Sequence, residues 1–152
     1  MHKLSPLTKV SIIGLGYVGL PLAIEFSKKY KVTGFDINHQ RIQELKSGHD
    51  RTLEVSSIDL QNLENLNFTS DILDIKDSNF HIIGVPTPVD KNNKPDFGNL
   101  INASETIGSI LKADDIVIYE STVFPGATEE ICIPCLEKQS GLKLNSDFYV
   151  GY

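Results

Sequence analysis

The 152-residue sequence predicts an α/β domain: a doubly wound, mainly parallel six-stranded sheet with helices on both faces. Three observations carry that expectation. Short apolar runs alternate with longer segments of helical period along the whole chain. The run Phe80-His81-Ile82-Ile83-Gly84-Val85 is almost continuously apolar, as a strand covered on both faces must be. A glycine-rich turn, Gly14 to Gly19, stands directly between the first apolar run and the first helical segment.

The elements follow in order. Residues 10–13 form the first strand. A helix over 17–29 should place Val18, Leu22 and Phe26 on one face at i, i+4, i+8. Residues 31–36 make the second strand and 39–46 a short helix, with Gly48 where a left-handed cap belongs. A helix over 56–65, capped by Ser56 or Ser57, leads to a short strand near Phe68. Strand 80–85 ends in the polar, proline-rich loop 86–98. Helix 99–112 turns Leu100, Ala103, Ile107 and Ile110 to the core. Strand 116–119, a helix over 127–139 interrupted at Pro134, and a sixth strand over 148–151 complete the chain. No helix follows to cover that last strand, so the reading is one domain over 1–152, cut from a longer protein.

Composition narrows the function classes. Fourteen Lys and Arg against twenty Asp and Glu give a net charge of −6, and the basic residues are scattered. Lys28, Lys29 and Lys31 cluster only at the solvated end of a helix. That speaks against a nucleic-acid surface, which needs clustered cations. An acidic surface still permits a phosphate-bearing cofactor, because N–H groups at a helix start can hold one. Lys3 and Lys9 precede an apolar run over 10–26 that superficially resembles a secretory signal. Three glycines, Pro21 and Glu25 interrupt it, and no small-x-small cleavage site follows. A cytoplasmic location without a membrane span is expected. Cys132 and Cys135 have C-x-x-C spacing, but no further ligands at short spacing suggest zinc, and no metal is expected. Both lie within a helical segment, where packing rather than redox chemistry is the expected role.

The chemistry concentrates at the strand ends. In Gly14-Leu15-Gly16-Tyr17-Val18-Gly19, Gly14 makes the tight turn, Gly16 lets backbone approach a pyrophosphate, and Gly19 lets the helix pack on the strand. G-x-G-x-x-G alone is weak; the preceding strand, the following helix and Asp36 at the end of the next strand make it a dinucleotide signal. Asp36 can accept both ribose hydroxyls and would repel a 2′-phosphate, which favours NAD over NADP. Arg41, one helical turn on, can reach a phosphate or stack on adenine. Gly84-Val85-Pro86-Thr87-Pro88 places a rigidly held hydroxyl after the fourth strand, though it also reads as an ordinary proline turn. Glu120-Ser121-Thr122-Val123-Phe124-Pro125-Gly126 places two hydroxyls and a carboxylate after the fifth, where Ser121 or Thr122 also suits a helix N-cap.

Together GLGYVGLPLA, the Asp36 strand, GVPTP, YESTVFPGATEE and the terminal YVGY resemble the UDP-glucose/GDP-mannose dehydrogenase family, from about residue 10 to residue 152. The long ESTVFPGATEE match looks most like the branch that oxidises UDP-N-acetylhexosamines to uronic acids for surface polysaccharide. The resemblance implies a Rossmann-like fold and two successive NAD-dependent oxidations at C6, with a cysteine thiolate capturing the aldehyde. It implies that the backbone of Leu15, Gly16, Tyr17 and Val18, with Gly14, holds the pyrophosphate, and that Asp36 holds the adenosine ribose. Arg41 would lie beside the adenosine, and Val85, Thr87 and Ser121 near the middle of the cofactor. Thr122 matches a threonine that helps to position the catalytic water. The family's S-P-E glutamate, its catalytic cysteine and its dimer-forming central helix have no counterpart here, and neither Cys132 nor Cys135 matches the catalytic position. The resemblance therefore implies a UDP-sugar substrate and a homodimer for the full-length protein, and no turnover by this chain alone. A non-catalytic NAD-binding module, or a methyltransferase with another adenosine cofactor, shares the fold-level features. The VPTP and ESTVFPG clusters favour the dehydrogenase.

Overall fold

The computed structural model describes residues 7–123 and 126–152; Lys3 and the Phe124-Pro125 pair lie outside them. Among the described residues, β1 (Lys9–Ile13), β2 (Lys31–Phe35), β3 (Leu66–Thr69), β4 (Phe80–Ile83), β5 (Ile116–Tyr119) and β6 (Tyr149–Gly151) form one parallel sheet. Its order is β3-β2-β1-β4-β5-β6. The chain builds outward from β1 to β3, then returns to the other side of β1 for β4. The β1/β4 boundary is therefore the topological switch point, where such sheets open a crevice at the carboxyl ends of their strands.

Side chains alternate across the sheet with period two and feed two cores. Val10, Ile12 and Ile82 join Leu20, Ala23, Ile42 and Leu45 of α1 (Gly19–Ser27) and α2 (His39–Lys46). Ile13, Ile83, Val117 and Tyr119 face the other way, against Leu100, Ala103 and Ile107 of α4 (Gly98–Gly108) and Leu136 of α5 (Ile133–Ser140). Burial on both faces explains why β4 reads as an uninterrupted apolar run.

The helices differ from expectation in informative ways. In α1 the buried residues are Gly19, Leu20, Ala23 and Ser27; Val18 is exposed, and Leu22 and Phe26 only flank the core. The small residues face inward because the helix starts in contact with the glycine turn. α2 spans the expected residues: Asn38 caps the Arg41 N–H, and Gly48 follows with φ +81°. The helix expected over 56–65 is the short α3 (Ser57–Gln61), in which only Leu60 is buried, so little apolar surface rewards its extension. Before α5 the chain makes one π-helical turn, Thr128–Cys132. Residues 128–140 are thus helical without a break, and the change from π-helical turn to α-helix falls at Ile133-Pro134, where the proline was expected to interrupt the helix.

One polar chain crosses the second core. Ser11 Oγ lies 2.7 Å from Nδ1 of its cross-strand partner His81, whose Nε2 lies 3.3 Å from Asp115 Oδ2. All three are buried, and Lys112 Nζ donates to the same Asp115 oxygen from the surface side. Burial works to raise the Asp115 carboxyl, but the His81 and Lys112 hydrogen bonds and charges outweigh it and hold it below the usual carboxylate range. Buried together, the three side chains satisfy one another's polar atoms inside the core.

Candidate cofactor-binding site

The glycine turn shows why each glycine stands where it does. Gly14 has φ +89° and donates its N–H to Phe35 O at 2.9 Å, tying the end of β1 to the end of β2. A Cβ on Gly19 would lie 1.7 Å from the Gly14 carbonyl oxygen, so α1 is seated directly on the turn. A Cβ on Gly16 would meet nothing within 4 Å, and the backbone there borders open space. The first turn of α1 has neither a side-chain cap nor an acidic residue, whereas Asn38 and Ser56 cap the next two helices. An uncapped helix start behind open glycine backbone is what a phosphate requires.

Asp36 directly follows β2. Its Oδ2 accepts the Leu15 N–H at 3.0 Å and its Oδ1 the Asn38 N–H at 2.9 Å. Each oxygen keeps a lone pair for a further donor. Arg41 is only 5% exposed. Its Nε donates to Leu15 O at 2.8 Å and its Nη2 to Asp50 Oδ1 at 2.8 Å, while Nη1 lies 3.7 Å from Glu44 Oε2 and has no hydrogen bond. The guanidinium thus ties α2 to the glycine turn from behind.

These groups line one cleft of about 350 Å³, within the range of small-molecule sites. Ile13 and Phe35 contribute apolar surface; Gly14, Leu15, Gly16, Asp36, Arg41 and Val85 come together around it. Ile37, Asn38, Arg51 and Thr52 line the β2 side, and Asn99, Asn102, Ala103 and Thr106 of α4 the opposite wall. Sequence reasoning missed these. The polar i, i+3, i+7 spacing of Asn99, Asn102 and Thr106 after the proline loop was an available signal; Arg51 and Thr52 carry none.

Tyr17 and Val18 are exposed at the start of α1, outside the cleft lining; Thr87 and Ser121, both half-buried, and the exposed Thr122 also lie outside it. The hydroxyls after β4 and β5 are used between the two loops. Ser121 Oγ donates to Val85 O at 2.7 Å, Thr87 Oγ1 donates to Thr122 O at 2.8 Å, and Asn99 Nδ2 reaches Pro86 O at 3.1 Å. The Thr122 side chain is exposed at this edge. Cys132 is fully buried, and burial raises both its thiol and that of Cys135. Among the described residues there is no group of three or more His, Cys, Asp or Glu that could hold a metal ion. Among the described residues no helix is long and apolar enough to cross a membrane.

The glycine turn, the uncapped helix start and the free lone pairs of Asp36 fit a dinucleotide, and comparison with known proteins agrees. Residues 8–152 match the model of the UDP-glucose/GDP-mannose dehydrogenase family, NAD binding domain. The chain is 57% identical over 144 residues to the UDP-N-acetyl-D-glucosamine 6-dehydrogenase of Pseudomonas aeruginosa, covering 95% of this chain and 34% of that protein. It is also 57% identical over 143 residues to Protein CapL of Staphylococcus aureus, covering 94% of this chain and 34% of that protein. Among solved structures, the UDP-D-ManNAc dehydrogenase of Pyrococcus horikoshii superposes with TM-score 0.83 at 35% identity, over 94% of this chain and 35% of that one. A ternary complex of the GDP-mannose dehydrogenase of Pseudomonas aeruginosa superposes with TM-score 0.86 at 32% identity, over 93% and 34%. The chain thus spans about a third of the length of these relatives. By its sequence over 8–152 and by its fold, the chain belongs to the UDP-glucose/GDP-mannose dehydrogenase family, as its NAD-binding domain.

Proposed function

We propose that this chain is the cofactor-holding part of a nucleotide-sugar 6-dehydrogenase, which oxidises C6 of a UDP-N-acetylhexosamine or UDP-hexose to the uronic acid with two NAD⁺. The full-length protein would act as a homodimer in surface-polysaccharide synthesis. The observation that carries this reading is the open backbone at Gly16 beside the Asp36 carboxylate, on a chain 57% identical to a named 6-dehydrogenase. NAD⁺, when bound, supplies the hydride acceptor. The residues supply position: with the Gly14 and Leu15 N–H groups donated to Phe35 O and Asp36, the N–H groups from Gly16 to the start of α1 meet the pyrophosphate, and Asp36 accepts the adenosine ribose hydroxyls. The Ser121–Val85 and Thr87–Thr122 bonds hold the two loops at the edge where the nicotinamide and the sugar would meet. There Thr122 would help to position water for the second oxidation.

The test is to incubate the full-length protein with NAD⁺ and, separately, UDP-N-acetylglucosamine, UDP-N-acetylgalactosamine and UDP-glucose. Two NADH per uronic acid formed is the expected stoichiometry with at least one of them. NAD⁺ binding with no NADH from any nucleotide sugar would instead point to a non-catalytic nucleotide-binding module.

A further inference from the structure

We propose that Asp50 is a positioning residue of the dinucleotide site, acting through Arg41 on the Leu15-Gly16 peptide of the glycine turn. The inference rests on the NAD-binding reading above. Asp50 is 4% exposed and lies in the loop after α2, away from any recognised motif. Its Oδ1 accepts Arg41 Nη2 at 2.8 Å, the Thr52 hydroxyl at 2.7 Å and the Thr52 N–H at 3.0 Å. Its Oδ2 accepts the N–H groups of Glu54 and Val55, each at 3.0 Å. Five donors converge on one buried carboxylate, and the loop is wound about it.

Such a carboxylate could simply hold its own loop. Four of its five bonds do that, but the fifth leaves the loop. The Arg41 guanidinium is planar and rigid, so anchoring Nη2 on Asp50 fixes the direction of Nε, which grips Leu15 O at 2.8 Å. The Leu15-Gly16 peptide is planar and trans, so holding its carbonyl toward Arg41 turns the Gly16 N–H the opposite way. The preceding peptide is held independently, by Asp36 on the Leu15 N–H. Two successive peptides of the turn are therefore set by two carboxylates, one directly and one through arginine. A lysine at position 41 has a single nitrogen and could not grip both Leu15 O and Asp50 along the same path.

The test uses the 152-residue chain, its Asp50→Asn and Arg41→Lys variants and the double variant. NAD⁺ affinity is measured by calorimetry, and the ¹H–¹⁵N resonance of Gly16 is followed without ligand. Losing a charge-assisted hydrogen bond predicts about a tenfold weaker Kd in each single variant. The double variant should be no weaker than Arg41→Lys alone, because the two residues act in series. The Gly16 resonance should move in both single variants. Additive losses, an unmoved Gly16 resonance, or Asp50→Asn binding NAD⁺ as tightly as the parent would overturn the role of Asp50. Failure of the parent chain to bind NAD⁺ would overturn the underlying reading instead. If Asp50→Asn does not fold, Asp50→Glu replaces it: the charge opposite Arg41 is kept while the anchor point moves, and the same loss and resonance shift are expected.

Discussion

The backbone N–H of Leu15 donates to Asp36 Oδ2 at 3.0 Å, so the carboxylate that follows the second strand is held against the turn that follows the first. Asp36 is thereby oriented before any ligand arrives, in the wall of the cleft, with lone pairs left for further donors. That relationship sets the first prediction.

Asp36→Ala should weaken NAD⁺ binding about tenfold, the loss expected for hydrogen bonds to a charged acceptor. NADP⁺ affinity should fall less or rise, because the charge opposing its 2′-phosphate has gone. Calorimetric titration of both cofactors against parent and variant measures this. An unchanged NAD⁺ to NADP⁺ ratio would remove Asp36 as the discriminating residue.

Gly16 and Gly19 share a motif but should respond oppositely to alanine. At Gly19 the new Cβ would lie 1.7 Å from the Gly14 carbonyl, a backbone atom that cannot move without lifting the helix from the sheet. Overpacking of this kind costs roughly 1–3 kcal/mol, and a backbone collision belongs at the upper end. At Gly16 nothing lies within 4 Å, so stability should change by less than about 0.5 kcal/mol while NAD⁺ affinity drops. Urea unfolding paired with cofactor titration separates the two; a stability loss at Gly16 equal to that at Gly19 would contradict this division.

How much of this was legible in the sequence depended on how local each signal is. The strand ends and α2 were readable because their determinants, apolar runs, Asn38 and Gly48, are neighbours in the chain. The face of α1 was misread by about one position. The 1.7 Å approach at Gly19 fixes the helix rotation more strongly than the sizes of Val18 and Leu22 suggest. The helix over 56–65 was overextended because its propensity is unopposed in sequence, whereas only Leu60 finds a core. Asp36 was legible from its register at the end of a strand. Asp50 was not: a lone acid in a loop carries no pattern, and its significance appears only when α2 folds Arg41 back onto it. The pairing of His81 with Ser11, 70 residues apart, was hidden in the same way.

Asp50 also predicts an acid-side dependence of stability. Burial works to raise its carboxyl, but the Thr52 hydroxyl, Arg41 and the N–H groups of Thr52 and Val55 bring it down from 3.8 to about 2. A carboxyl depressed on folding stabilises the folded state fully above its unfolded pKa, and that contribution disappears as the pH falls through the folded value. The contribution of Asp50 should therefore be complete above about pH 4 and fade toward pH 2, amounting to about 2 kcal/mol. Urea unfolding of parent and Asp50→Asn between pH 6 and pH 2 (chosen to bracket both values) tests it. The stability gap should narrow as the pH drops; a gap that widens would mean the sign is wrong.

The cysteine pair should behave as packing and not as a redox couple. Cys132 is 0% exposed and caps α5 in sequence order, but the helix start is not open: the Ile133 N–H is taken by Thr128 O in the π-helical turn. Burial raises the thiols of both Cys132 and Cys135, and Glu105 adds a like-charge penalty at Cys135. The thiolate, which is the reactive species, is thus disfavoured near neutral pH. Alkylation by iodoacetamide in the native state should be slow at Cys135 and slower at Cys132, and both should react readily in urea. Cys132→Ala should lower stability by about 1–2 kcal/mol through lost packing against the core that contains Tyr119 and Leu136. Rapid native-state alkylation of Cys132 would show that the π-helical turn opens on the labelling timescale, and the pair would then have to be reconsidered as a chemically accessible site.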